Sequence, residues 1–309
     1  MVVDVVVYAS SVANAHKHAR KVACLENFAQ GVRATGASVV VDWDYRYTPS
    51  KLAVVLGWAT TNIGGKNITL RKQVISEQKR RGFHTMCIDA SCFKYLDDGG
   101  TYLRYSLGGP FYDRAEYANK NSSPDKWHEI QQHLGISLGP DRYNTNGYIL
   151  LGMQRDGGFA MKSLSPMDWL RGKIIEIRQH TQRPIVIRPH PGKFDMRHFA
   201  EFQTQNYIKQ SVSVINPESS RLLDDLMGAH AACFFNSSAS VAAALEGVPV
   251  FVDDASAVTW SVSNHDIAQI EKPQTFNRVQ WINDLAAAHW SDADGSSGAI
   301  YQRFKPFLQ

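Results

Sequence analysis

Cysteine is scarce in this 309-residue chain. There are four, Cys24, Cys87, Cys92 and Cys233, and no pair has CxxC spacing. That argues against a disulfide-stapled domain or a zinc ribbon and predicts reduced, buried thiols in a cytoplasmic protein. Long apolar runs are missing too: no stretch approaches the roughly 20 residues that a membrane span needs. The opening MVVDVVVYAS carries Asp4 inside its apolar run and no basic leader, so it does not read as a signal peptide. Short repeats and low-complexity tracts are absent. A strong excess of either sign of charge is missing as well. Lys and Arg number 33 against 29 Asp and Glu, a net +4. So small an excess fits an anionic ligand or nucleic acid but selects neither.

What is present is a rhythm. Short β-branched runs at 2–10, 38–44, 52–58 and 84–89 read as strands. Apolar residues at helical spacing in 16–36 and 70–82 read as helices, each stopped by a glycine, Gly36 and Gly82. From 90 to 146 the rhythm breaks into an irregular region rich in Tyr, Gly, Asn and Asp, with one helix at 123–135. It then restarts. Strands are expected at 147–154, 183–189, 211–216, 231–235 and 248–254. Helices are expected at 167–181, 197–207, 219–229, 238–247 and 277–290. Alternation of this kind predicts an α/β chain with parallel sheets, whose ligands bind beyond the carboxyl ends of the strands. Two Rossmann-like domains are expected, at 1–145 and 146–285, with 286–309 returning to the first.

Three strand ends carry chemistry. IVIRPHPGK (185–193) runs from core residues into Arg188, His190 and Lys193, on a turn stiffened by Pro189 and Pro191. A guanidinium fork, an imidazole and an ammonium suit a phosphate. The same residues also suit a rigid surface turn with solvated cations. In CFFNSSASVAAALEGVPVFV (233–252), Asn236, Ser237 and Ser238 stand where a strand hands over to a helix. Such residues cap helices, and the amides of Ser238, Ala239 and Ser240 are expected to hold an anion. Gln154 and Arg155 end the strand at 147–154, where Gln154 is placed to donate to a diphosphate or a sugar hydroxyl. Asp42 and Asp44, in DWD, lie on one face of a strand end and invite a metal reading beside an ordinary one.

Taken in this order, these segments resemble the C-terminal domain of GT-B glycosyltransferases, within them the capsule-polysaccharide and Kdo-transferase-like branch. The carriers are a strand ending in Gln, a strand ending in Arg-Pro-His-Pro, and a Ser-rich tip followed by a small-residue helix and Gly-Val-Pro-Val. The closing stretch 277–304 is similar to phage-associated glycosyltransferase-like chains. The resemblance implies two Rossmann-like domains facing a cleft, with a nucleotide-sugar as donor substrate and no required divalent metal or other cofactor. It implies that Arg188 and His190, with Lys193, face the donor phosphates, with Ser237, Ser238 and Ala239 beside them. The family's ribose-gripping Glu is replaced here by Ala242, so that either Glu246, one helical turn later, substitutes, or the ribose is held differently, or the donor is unusual.

The first domain is expected to bind the acceptor and supply the base. Asp113 in GGPFYDRAEY is the first candidate, then Asp89, then His16. Arg71, Lys72, Arg80 and Tyr112 are expected to bind the acceptor, within basic clusters and an aromatic-rich segment at 93–117. Basic surface with stacking rings suits DNA carrying an extruded base. With the phage-like tail, the expectation is sugar transfer to a 5-hydroxymethylpyrimidine in phage DNA, in the host cytoplasm. The alternatives are transfer to a cell-surface glycan or lipid-linked precursor, a non-catalytic DNA-binding protein on the same fold, and a nucleotide-sugar epimerase. The residues do not indicate an oligomeric state.

Overall fold

The computed structural model describes residues 2–12, 18–59, 65–96, 100–155, 159–191, 196–199, 202 and 212–308. The chain divides into two compact units. Met1–Trp127 and Asn283–Gln309 form the first, and His128–Ile282 forms the second.

The first unit holds a six-stranded sheet. Its strands are β1 (Val3–Tyr8), β2 (Val39–Asp42), β3 (Ser50–Leu56), β4 (His84–Ala90), β5 (Leu103–Leu107) and β11 (His289–Trp290), in the order β11-β5-β4-β3-β1-β2. From β4 to β2 all pairings are parallel, whereas β5 runs antiparallel to β4 and β11 antiparallel to β5. Period-two alternation sorts β1 and β3 onto two faces. Val5, Val7, Leu52 and Val54 pack under α1 (Ala19–Ala34), while Val6, Tyr8, Ala53 and Val55 pack under α2 (Lys66–Arg80) through Leu70 and Val74. Two short helices near the chain end, α8 (Asp292–Ser297) and α9 (Ala299–Phe304), join the α1 side through Ile300, Tyr301 and Phe304.

The second unit holds a parallel five-stranded sheet: β6 (Tyr148–Gly152), β7 (Ile185–Arg188), β8 (Val212–Val214), β9 (Ala229–Phe234) and β10 (Val250–Val252), in the order β10-β9-β6-β7-β8. Helix α4 (Pro166–Arg178) starts on Ser165, whose hydroxyl accepts from the Asp168 amide at 3.0 Å, with Pro166 following it. Its Trp169, Leu170, Ile174 and Ile177 bury Ile149, Leu151, Ile185 and Ile187. The remaining described helices are α3 (Asp125–Leu134), α5 (Leu222–Met227), α6 (Ala239–Leu245) and α7 (Val279–Ala287).

Two expectations change. The region read as irregular contains β5, where Leu103, Tyr105 and Leu107 alternate with Arg104 and Ser106. The helix expected to run to 290 stops at Ala287, because His289 and Trp290 pair with Arg104 and Leu103. Most of the helix expected at 197–207 lies outside the described residues.

Strand order locates the ligand crevices. A doubly wound sheet opens one where successive connections leave in opposite directions. In the first sheet that point lies between β1 and β3, and in the second between β6 and β9.

Candidate functional site

At the second sheet's switch point, β6 runs out through Met153 to Gln154, and β9 through Phe235 to Asn236. The crossing is tight. A Cβ on Gly152 would stand 2.2 Å from the Phe234 ring, so only glycine fits beside that phenyl. The Gln154 side-chain amide donates to Asn236 Oδ1. Asn236 Nδ2 donates to the Ala160 carbonyl at 2.9 Å and to Ser256 Oγ at 2.8 Å. The Ser256 hydroxyl donates to Asp254, whose other oxygen pairs with Lys162 at 2.9 Å. One polar chain thus links the ends of β6, β9 and β10 to the turn at 160–162.

The loop after β10 is anchored a second time. Asp253 accepts from Trp169 Nε1 at 2.6 Å and from Lys173 at 2.7 Å. Burial opposes the charge on Lys173, but hydrogen bonds to Asp253 and Glu176 outweigh it and hold its pKa above the usual lysine value. Sequence reading passed over Asp253, Asp254, Lys162 and Lys173, because ion-pair partners 80 and 92 residues apart in the chain leave no mark on hydrophobic periodicity.

Arg188 ends β7 as expected, but its guanidinium is already engaged. It donates to Ser220 Oγ and to the Ser220 carbonyl, both at 3.0 Å, and it pairs with Asp225 of α5. The two charged side chains are only 11% and 9% exposed. The expected phosphate-facing arginine is therefore an internal brace between β7 and α5. Burial pushes the Asp225 carboxyl above its ordinary value, against the pull of Arg188. His190 lies two residues on and is partly buried. Lys193 lies outside the described residues.

The Ser-rich tip also differs from expectation. Ser238 occupies the cap position of α6 but makes no side-chain cap bond. The Ser240 amide donates to the Ser237 carbonyl at 3.0 Å, and the Ala239 amide reaches Ser237 Oγ at 3.3 Å. Ser237 and Ala239 are buried and Ser238 is partly exposed. Of the three amides expected to cradle an anion, two already have internal partners. Glu246 is the C-cap of α6. At about 1.5 Å per residue it stands roughly 10 Å along the axis from the helix start. It is therefore at the wrong end of α6 to take over a ribose contact beside the strand tips.

In the first unit, Ser11 Oγ accepts from the Leu56 amide at 3.0 Å, and Ser10 donates to Asp42. Arg71 reaches back from α2 over Gly57, where a Cβ would meet its guanidinium at 2.6 Å. Burial pulls its pKa down, and Nε donates to the carbonyl of Asn67 on its own helix at 3.3 Å. Lys72 follows it, partly buried. Arg80 pairs with Glu77 at 2.7 Å, and Arg81 approaches the same carboxylate at 3.6 Å.

Among the expected bases, Asp89 is bound to Arg104 at 2.9 Å and Asp113 to Arg114 at 3.2 Å. His16 lies outside the described residues. Tyr112 packs against Tyr117, ring centres 5.4 Å apart, and burial raises its phenol pKa. The aromatic set expected to stack on an extruded base is largely core: Phe93, Tyr102, Tyr105 and Tyr117 are each at most 3% exposed. Asp42 accepts from Ser10 and from the Arg46 amide at 3.3 Å. Among the described residues, no group of three or more His, Cys, Asp or Glu side chains could hold a metal ion.

Sheet order, the two-unit division and strand-end loops of this kind define the GT-B glycosyltransferase type of fold. Solved structures agree over the whole length. The chain is similar to the β-Kdo 2,4-transferase of Thermosulfurimonas dismutans KpsC (TM-score 0.56, 13% identity, 98% of each chain covered). It is also similar to the β-Kdo 2,7-transferase of the same KpsC (0.53, 14%, 98% of this chain and 99% of that one). A weaker likeness is to Methanocaldococcus jannaschii UDP-GlcNAc 2-epimerase, solved in complex with UDP-GlcNAc and UDP (0.32, 12%, 99% and 100%). No family model and no curated protein sequence matches the chain. No described helix is long and apolar enough to cross a membrane.

Proposed function

We propose that the chain is a glycosyltransferase that moves a sugar from a nucleotide-sugar to an acceptor hydroxyl. The observation that carries this reading is the likeness over almost the whole chain to two sugar transferases of GT-B type, with TM-scores above one half. In this reading the donor binds at the carboxyl ends of β6, β7 and β9. Gln154, Ser237, Ser238, Ala239 and His190 lie around it, and Lys193, outside the described residues, is proposed as a further phosphate contact. Arg188 acts through Asp225 by holding the His190 turn in place. The acceptor oxygen attacks the anomeric carbon, and the bond from that carbon to the phosphate oxygen breaks. The nucleotide leaves with the bonding pair, and the hydroxyl proton passes to a base. Asp113 is proposed as that base, with Asp89 and His16 next in order. Hydrogen-bond donors and cations aimed at the departing phosphate stabilise the charge that develops there.

The burial of Phe93, Tyr102, Tyr105 and Tyr117 takes away most of the stacking platform that favoured DNA. The engagement of Arg80 with Glu77 weakens the basic-surface argument. We therefore place a glycan hydroxyl first as acceptor and a 5-hydroxymethylpyrimidine in DNA second. The test incubates the protein with pooled nucleotide-sugars and, separately, with oligosaccharide acceptors and with hydroxymethylated DNA. Mass spectrometry then follows both the acceptor and the released nucleotide. A glycan heavier by one anhydro-sugar supports the first acceptor, and a heavier nucleoside the second. Nucleotide-sugar left intact with every acceptor would overturn the transferase reading.

A further inference from the structure

An amide side chain can be turned over without changing its shape, so its polarity must come from its neighbours. Here one neighbour decides. The Ala160 carbonyl can only accept, and it lies 2.9 Å from the Asn236 amide, so Nδ2 of Asn236 must face it. The same Nδ2 reaches Ser256 Oγ at 2.8 Å, and that hydroxyl passes its own proton to Asp254. Lys162 fixes the other oxygen of Asp254 at 2.9 Å, from a backbone position with φ of +57°. Asn236 therefore turns Oδ1 toward Gln154, and Gln154 must answer with its nitrogen. Gln154 Oε1 is the atom left over. Among the described residues nothing donates to it, and the residue is partly exposed at the β6–β9 switch point.

From this polarity we infer that Gln154 reads a hydroxyl group of the nucleotide-sugar, on its ribose or on the transferred sugar. Sequence alone places Gln154 as a donor to a diphosphate or a sugar hydroxyl, whereas the polarity here offers Oε1 as an acceptor. The inference rests on the proposed donor site. Its second Nε2 proton remains for any nearby acceptor, so discrimination comes from Oε1, which a phosphate oxygen cannot approach favourably. A site built to accept from a hydroxyl rejects the analogue that lacks it, because the acceptor, covered by the bound nucleotide-sugar, is then left unpaired. Lys162, Asp254, Ser256 and Asn236 act as positioning residues that set which end of the amide faces outward.

The test is calorimetric titration of the full chain and of Gln154→Leu. UDP-glucose, UDP-N-acetylglucosamine, GDP-mannose and CMP-sialic acid are tried first. Analogues of the tightest ligand, each lacking one hydroxyl, follow. The expected result is that one deoxy analogue binds the unaltered protein about 10-fold more weakly than its parent. Against Gln154→Leu the parent should weaken by a similar factor, and that analogue should match it. Gln154→Ala replaces the leucine variant if melting shows the latter misfolded. Parent binding unchanged in the variant overturns the inference, as does a uniform loss across all analogues. Failure of the unaltered protein to bind any of the four nucleotide-sugars is a different result: it overturns the donor-site reading, and the inference falls with it.

Discussion

At the scale of the residue, the most exacting environment belongs to His289. It is fully buried, and both ring nitrogens have fixed partners. Nδ1 faces the Leu285 carbonyl at 2.7 Å and must donate, while Nε2 receives the Cys92 amide at 2.9 Å and must accept. Only the neutral ring with its proton on Nδ1 satisfies both. Burial, with Arg104 and Lys126 nearby, lowers its pKa from 6.5 to about 3. Above pH 6.5 both folded and unfolded states leave this ring neutral. Below it the unfolded chain takes up a proton that the folded chain refuses until about pH 3, so stability is lost as pH falls through this window. The expected slope from this residue is about 1.4 kcal/mol per pH unit. Urea titrations at pH 7.0, 6.0 and 5.0 on the wild type and His289→Gln measure it, and equal slopes would show that the ring does not carry the effect. Arg188 supplies the second prediction. As a brace on Asp225, its loss in Arg188→Met leaves a buried carboxylate uncompensated and should cost about 3 kcal/mol. Arg188→Met with Asp225→Leu should recover most of that. A melting point unchanged in the single variant would instead return Arg188 to the ligand.

At the scale of the element, α1 meets α8 with no room for a side chain at Gly31. A Cβ on Gly31 would lie 2.0 Å from the Gly295 carbonyl oxygen and 2.6 Å from the Gly298 nitrogen. Backbone cannot swing aside as a flexible side chain would, so Gly31→Ala should destabilise by about 2 kcal/mol or more. Gly36→Ala is the control. Its φ of +80° is strained for alanine, yet nothing lies within 4 Å, and about 1 kcal/mol is expected. Chemical denaturation of both variants decides whether packing or backbone conformation dominates. The same scale shows what the sequence could tell. The two parallel cores were legible because VVDVVVY, LAVVL and YILLG are apolar on both faces, and Gly36 and Gly82 punctuate the helices between them. β5 was legible in principle from Leu103, Tyr105 and Leu107, but the surrounding glycines and tyrosines masked its five residues. β11 was not legible, since two residues carry no period and only pairing with Arg104 and Leu103 defines it. In the site, strand ends announced Gln154, Arg188 and Ser238. They could not announce that Asp225 claims Arg188, because that partner is 37 residues away in the chain.

At the scale of the whole molecule, the first unit is assembled from two separate pieces of chain, and Asn283–Gln309 is the later one. That piece contributes Ile300 and Phe304, each wholly buried, and Tyr301, 7% exposed, to the core under α1. At about 1.5–3 kcal/mol per large apolar side chain, their removal costs roughly 6 kcal/mol, against a typical total stability of about 5–15. A chain cut after Ile282 is expected to keep the near- and far-ultraviolet signature of the second unit and to lose that of the first. Limited proteolysis should then cut within 2–127 and spare the described strands and helices of the second unit. Two-piece construction also dictates an order of events during synthesis. The 128–282 segment can leave the ribosome and close while residues 283–309 are still held inside it. Until those final residues emerge, the α1 face and the outer edge of β5 stay uncovered. The first unit therefore closes only after the second has been made, and a nascent chain stalled with residue 282 just outside the ribosome should need a chaperone on residues 2–127.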